Sequence, residues 1–272
     1  MVKKLGSPFM FLLMVIISLI SLYPFYTMII MGTYESNQLY TGIKFWFGDS
    51  LNKNLASVFS INFLNYYKNS LVVAISTTVL GVLVCSAAGF ALGKYQFKGK
   101  KLMLAIVIGM LMIPSQLSII AFVIEMRWFG WMDTLWPLII PPAASAFGVF
   151  WMTQFAKNTI PTEVLESARI DGCNEMSVFL RIAMPFMRPA FVTLALLLFL
   201  WSWNSFLTPL IVLNSDALYT IPLGIRGLAG QFRNDNAAQI LGITLGTIPV
   251  LFFFIAFSKN LIEGLASSAV KG

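Results

Sequence analysis

The chain of 272 residues contains no histidine, two cysteines and only 11% charged residues. Without histidine it lacks the commonest metal ligand and the commonest general base near neutral pH. Cys85 falls in an apolar run and Cys173 in a charged segment, so the two do not read as a disulfide framework. No stretch reads as G-x-x-x-x-G-K-[ST], which excludes a nucleotide-binding P-loop. Eighteen Lys and Arg with eleven Asp and Glu are too few charges to clothe a soluble domain of this length. What fills their place is apolar: 58% hydrophobic residues and a mean hydropathy of +0.82. That composition is expected of an integral membrane protein. The net charge of +7 then reads as basic residues held on the cytoplasmic side, and not as a nucleic-acid surface.

Long apolar runs cover approximately 8–32, 70–93, 102–124, 135–156, 186–213 and 237–262. Each reaches or exceeds the roughly 20 residues that a helix needs to cross the hydrocarbon core. The expected fold class is therefore all-α with six transmembrane helices. The first run, "FMFLLMVIISLISLYPFYTMIIM", is too long for a signal peptide and lacks a small-residue cleavage site, so it reads as a retained span. Placing both termini in the cytoplasm puts Lys3, Lys4, Lys94, Lys98, Lys100, Lys101, Lys157, Arg169, Arg181, Arg188, Lys259 and Lys271 inside. These are twelve of the eighteen basic residues, and the excess favours an N-in, C-in orientation. The "KYQFKGKK" turn is the strongest local anchor. Trp128, Trp131 and Trp136 read as interfacial belt residues.

Proline interrupts several runs: Pro114, Pro137, Pro141, Pro142, Pro209 and Pro249. Each removes a backbone donor, and in a membrane the freed carbonyl must find protein or water. Ser115, Gln116 and Asn204 lie beside such breaks. They read either as interhelical hydrogen-bond partners or as lining of a translocation path.

The linker at about 157–188 carries eight charges, four of each sign, between apolar runs. Being locally neutral, it is not a polybasic lipid-binding patch. Thr159 is expected to cap a short helix, with Pro161 and Glu163 in its first turn and Gly172 at its end. Val164, Leu165 and Ala168 share one stripe, and Glu163, Glu166 and Ile170 lie on the neighbouring face. Glu in place of Lys or Arg on the polar face suits a basic groove of a soluble partner better than lipid headgroups. Small Ser167, Ala168 and Gly172 allow close backbone approach.

Glu166-Ser167-Ala168, three residues, Gly172, nine residues, then Ile182-Ala183-Met184-Pro185 resembles the E-A-A–x3–G–x9–I–x–L–P motif. That motif marks the membrane subunits of binding-protein-dependent ABC importers. "MIPSQLSII", "LWSWNSFLTPL", "YTIPLGI" and "EGLASSAVKG" extend the likeness over nearly the whole chain, toward the shorter, MalG-like permease of carbohydrate importers. Ser167 for Ala and Met184 for Leu depart from the motif and keep its small or apolar character. The resemblance implies a type I importer permease (MetI-like) fold, one transmembrane domain over 1–272, and a coupling helix at about 160–173. Glu163, Leu165, Glu166, Ser167, Ala168, Asp171 and Gly172 would engage a cytoplasmic ATPase, and the tail residues Ser268, Val270 and Lys271 would reach toward it. It implies no catalytic residue, no metal and no bound cofactor in this chain, with ATP and Mg2+ on the ATPase dimer. The other implied partners are a second, MalF-like permease, an extracytoplasmic sugar-binding protein and the bilayer of a prokaryotic cytoplasmic membrane. Other small solutes are alternative cargo. An ATPase-independent secondary transporter is disfavoured, because the spans are nearly free of acidic residues.

Overall fold

The computed structural model describes residues 6–229 and 235–269, and among these it is helical with no strand. The helices in chain order are α1 (Gly6–Met31), α2 (Leu51–Phe59), α3 (Phe63–Lys94), α4 (Lys100–Met112), α5 (Ile119–Trp128), α6 (Trp136–Ala143) and α7 (Ala146–Thr159). They continue with α8 (Thr162–Ile170), α9 (Glu175–Ser177), α10 (Met184–Trp203), α11 (Leu207–Val212), α12 (Ile221–Gly224) and α13 (Asn236–Ala269). A π-helical turn, Val178–Ala183, joins α9 to α10.

Among the described residues five stretches are long and apolar enough to cross a membrane: Pro8–Met31, Phe63–Lys94, Trp136–Thr159, Glu175–Trp203 and Asn236–Phe257. The expected third span is not a straight helix. Lys100–Met112 and Gln116–Trp128 meet at 93°, so the pair counts as a sixth span only if taken together. The break follows from Pro114, which forces Ile113 into extended backbone at φ −88° and ψ 119°. The expected fifth span also changes: its helix ends at Trp203 and not near 213. Pro209 falls in the first turn of the separate α11, where its missing amide costs no helical bond, whereas Pro249, expected to interrupt its run, lies inside the continuous α13.

The chain forms two compact units, Met1–Leu64 with Ile221–Ile248, and Asn65–Thr220 with Pro249–Gly272. In the first, α1 is exposed along most of its length and buries Ile30 near its end, with Thr33 buried just beyond it. The segment after α1 is held by the buried Asn54 of α2, whose Nδ2 donates to the carbonyls of Gly32 and Tyr34, both at 2.8 Å. Asp235 Oδ1 accepts from the Ala238 amide at 3.2 Å and Ser36 Oγ accepts from the Ala237 amide at 3.0 Å, which caps the start of α13.

In the second unit the core runs through Cys85 and Phe90 of α3, Met152 and Ala156 of α7, Leu165 and Ala168 of α8, and Met187, Ala190 and Leu194 of α10. Every one of these is apolar or small, so the core is held by close packing. The α6 prolines are accommodated there as well. Pro142 has no amide to donate to the Leu138 carbonyl, and Thr77 Oγ1 of α3 donates to it instead at 3.0 Å.

Gly89 makes the α3–α7 crossing close. A Cβ added there would lie 2.8 Å from the backbone of Met152 and Thr153, and backbone cannot yield as a side chain can. Gly89→Ala is expected to destabilise the protein by about 1–3 kcal/mol. A thermal melt in detergent checks this, and an unchanged midpoint would contradict the close crossing.

Candidate functional site

The charged linker folds into α8 and the turn after it. The sequence reading placed the cap at Thr159, but Thr159 ends α7 and Pro161 is the residue before the first turn of α8. The reason is local: Ile160, which precedes the proline, is extended at φ −91° and ψ 118°, so the chain leaves one helix before entering the next. Glu163 still sits in the first turn, where the helix dipole favours acid.

The far end is as the sequence suggests. Gly172 has φ +83°, a left-handed conformation that side-chain-bearing residues rarely adopt. The Gly172 amide donates to the Arg169 carbonyl at 3.1 Å, and the Cys173 amide donates to the Ala168 carbonyl at 3.0 Å. Together these two bonds make a Schellman end that satisfies the last carbonyls of α8. Asn174 Oδ1 then accepts from the Ser177 amide at 2.8 Å and starts the next helix.

The helix is divided sharply between two faces. Leu165, at 1% exposure, and Ala168 are buried in the core of the second unit. Glu163, Glu166, Ser167, Asp171 and Gly172 are exposed. Ser167 Oγ donates back to the Glu163 carbonyl at 2.9 Å, so its hydroxyl is used within the helix. Of the seven residues expected to engage a partner, five lie on the open face, whereas Leu165 and Ala168 hold the helix in place. In particular, Ala168 is not a point of close approach from outside. Ile170, which the sequence reading placed on this face, is 86% exposed, and two apolar residues that it did not weigh join it, Met176 at 64% and Leu180 at 49%. The i, i+4 spacing of Met176 and Leu180 was the available signal.

A second set of residues missed from sequence ties this segment to α3. Arg169 Nε donates to Glu175 Oε1 at 2.8 Å and Arg169 Nη2 to Oε2 at 3.2 Å. Tyr95, just past the end of α3, donates its hydroxyl to Glu175 Oε2 at 2.6 Å, and the guanidinium lies 5.7 Å from the Tyr95 ring centroid. Burial, with the Glu175 carboxylate beside it, pushes the Tyr95 phenol up to about 12, so it remains a donor at any physiological pH. Lys100 Nζ donates to the Tyr95 carbonyl at 2.8 Å and Lys94 Nζ to the Lys157 carbonyl at 3.2 Å. These contacts border a shallow depression of about 830 Å³ between the "KYQFKGKK" turn and α8. Nothing in sequence spacing links Tyr95 to Glu175, eighty residues apart.

The other expected residues lie elsewhere. Asn204 caps α10 and donates Nδ2 to the Leu200 carbonyl at 2.9 Å, Gln116 is exposed in a short 3₁₀ turn, and the side chain of Ser115 lies outside what is described. Val270 and Lys271 lie outside the described residues, as does the side chain of Ser268. Among the described residues no three His, Cys, Asp or Glu side chains are grouped so as to hold a metal ion.

A family profile described as "Binding-protein-dependent transport system inner membrane component" matches residues 85–266, which contain α8, Gly172 and the turn into α10. The chain belongs to that family. It is 35% identical over 77% of its length to the arabinooligosaccharides transport system permease protein AraQ of Bacillus subtilis, covering 74% of that protein. It is 31% identical over 92% of its length to the lactose transport system permease protein LacG of Rhizobium radiobacter, covering 91% of that protein. A solved bacterial ABC transporter that imports the acidic polysaccharide alginate contains a chain of the same fold, at TM-score 0.80 and 19% identity, covering 94% of this chain and 96% of that one. As a member of the inner membrane component family, the protein is a multi-pass permease of the cytoplasmic membrane, and ATP hydrolysis falls to a separate subunit.

The Arg169–Glu175–Tyr95 contacts are partly solvated, so their pairwise energies are modest. A double-mutant cycle of Tyr95→Phe and Glu175→Gln is expected to give a nonzero coupling of about 0.3–1 kcal/mol on thermal stability. Strict additivity of the two changes would show that the bond does not persist in solution.

Proposed function

We propose that the chain, 1–272, is one transmembrane domain serving as half of the translocation pathway of an ATP-driven sugar importer, with di- or oligosaccharides as cargo. The arabinooligosaccharide and lactose relatives support the cargo class, as does similarity to the trehalose/maltose permease MalG of Thermococcus litoralis, 27% identical over 95% of this chain and 94% of that protein. The topology in this reading is six spans, counting the bent pair as one, with both termini in the cytoplasm as the Lys and Arg distribution favours. The partners are a second, MalF-like permease, an external sugar-binding protein, and an ATPase dimer that carries the ATP and Mg2+. Ser115, Gln116 and Asn204 remain proposed lining of the path, and Ser268, Val270 and Lys271 a proposed contact of the tail with the ATPase.

The observation that carries the mechanism is the two-faced helix α8, anchored inward by Leu165 and Ala168 and closed by the left-handed Gly172. Glu163, Glu166, Asp171 and the exposed Ile170 enter a basic, partly apolar cleft of one ATPase subunit. Gly172 lets the chain turn out of that cleft. When the ATPase dimer closes on ATP, the helix moves with its cleft. Because Leu165 and Ala168 pack against α3, α7 and α10, the displacement passes into the spanning helices and shifts the permease between inward-open and outward-open states.

Gly172→Pro and Glu166→Lys test this. Both variants are expected to reach the membrane, while ATPase retention on purification or sugar uptake falls at least about tenfold, through loss of a charge-assisted contact in Glu166→Lys and of the left-handed turn in Gly172→Pro. Normal uptake with normal ATPase binding in both variants would remove α8 from the coupling role.

A further inference from the structure

The second unit contains a partly open cavity of about 120 Å³ bordered by α3, α6, the end of α10 and α11. Its wall includes Thr77, Trp201, Ser202, Ser205, Thr208 and Thr220 and carries no charged side chain. Thr77 Oγ1 is committed to the Leu138 carbonyl, and Ser145, also in the wall, to the amide of Gly148. Ser202 Oγ and Thr220 Oγ1 are different: both are buried and neither has a hydrogen-bond partner. Thr220 is only 5% exposed. A buried hydroxyl without a partner is costly, and two residues of one cavity share that condition.

We propose that this cavity is a subsite for one ring of a neutral sugar, with the Ser202 and Thr220 hydroxyls pairing ring hydroxyls and the Trp201 indole facing the ring's apolar side. The inference rests on the sugar-importer reading given above. Serine and threonine hydroxyls both donate and accept, as sugar hydroxyls do, so either partner can supply the proton. An uncharged wall offers nothing to a carboxylate or an ammonium group, whose transfer into it would go uncompensated. At about 120 Å³ the enclosed space suits a single ring and not a disaccharide, and its open side leaves room for the remainder of a longer chain. Trp201 brings a broad, rigid apolar face, a common element of small-molecule sites. Neither Gln116 nor Asn204 is among the residues that line this cavity.

The experiment uses the complete transporter, with its second permease, ATPase and binding protein, in proteoliposomes. Labelled arabinotriose, lactose, maltotriose and trehalose are the neutral probes, and a uronate trisaccharide is the acidic one. Wild type is expected to import at least one neutral probe and not the uronate. With sugar-loaded binding protein saturating, the Ser202→Ala/Thr220→Val double variant is expected to import about tenfold more slowly, the effect of losing paired hydroxyls. Its ATPase activity without sugar stays unchanged. Wild type is also expected to discriminate between the sugar and its singly deoxygenated analogues, and the double variant to lose that discrimination. Thr220→Ser, which keeps the hydroxyl, is expected to import like wild type, and Ser202→Ala alone supplies the test if the double variant does not fold. Unchanged rate and unchanged discrimination in the variants, with wild type importing sugar, would show that the cavity holds only water and overturn the subsite alone. Import of the uronate at the neutral rate would overturn it as well. Failure of wild type to import any neutral probe would overturn the sugar-importer reading and the subsite with it.

Discussion

Hydrocarbon offers no water to backbone amides, so every break in a spanning helix must be repaired by the protein itself. The rest of the architecture answers to that constraint. Consecutive prolines in α6 leave the Leu138 carbonyl without its helical donor, and Thr77 of α3 supplies one. The cavity beside that bond exists because α6, α10 and α11 are all interrupted close to α3. Broken helices with polar side chains at the breaks are the form that irregular backbone takes when it is enclosed by protein.

The same accounting shapes the charged linker. Its backbone is closed at one end by the Schellman bonds at Gly172, which pair the Ala168 and Arg169 carbonyls, and restarted at Asn174. What remains open to a partner is side-chain chemistry: three acids and several apolar groups on one face of α8 and the turn after it. The opposite face, Leu165 and Ala168, packs into the core that α3, α7 and α10 share. A helix both exposed and firmly seated is suited to transmit displacement, because the packed core does not deform continuously. The Arg169–Glu175–Tyr95 contacts add a second attachment, from the turn after α8 to the end of α3.

Much of this was legible in the sequence, and the parts that were not share a cause. The stop at Gly172 was readable because a helix end with its glycine is a local event. The start of α8 was misplaced by a few residues because Ile160 and Pro161 compete with Thr159 for the boundary, and the proline effect dominates. The third run read as a simple span because apolar composition continues unbroken past Pro114, and hydropathy does not register the 93° turn made there. The path candidates beside prolines were chosen by sequence neighbourhood, whereas Thr77 and Thr220 reach one cavity from positions far apart in the chain.

The amino-acid sequence by itself determined that this chain enters a membrane, where its charged segment lies, and that the segment forms a short helix ended by glycine. Those properties depend on composition and on contacts within a few residues. Tertiary structure alone decided that Leu165 and Ala168 face inward, that Glu175 meets Tyr95, and that Ser202 and Thr220 lie unpartnered around one space. Each of those depends on which helices pack together, and residues separated by tens of positions leave no periodic trace of their contact in sequence.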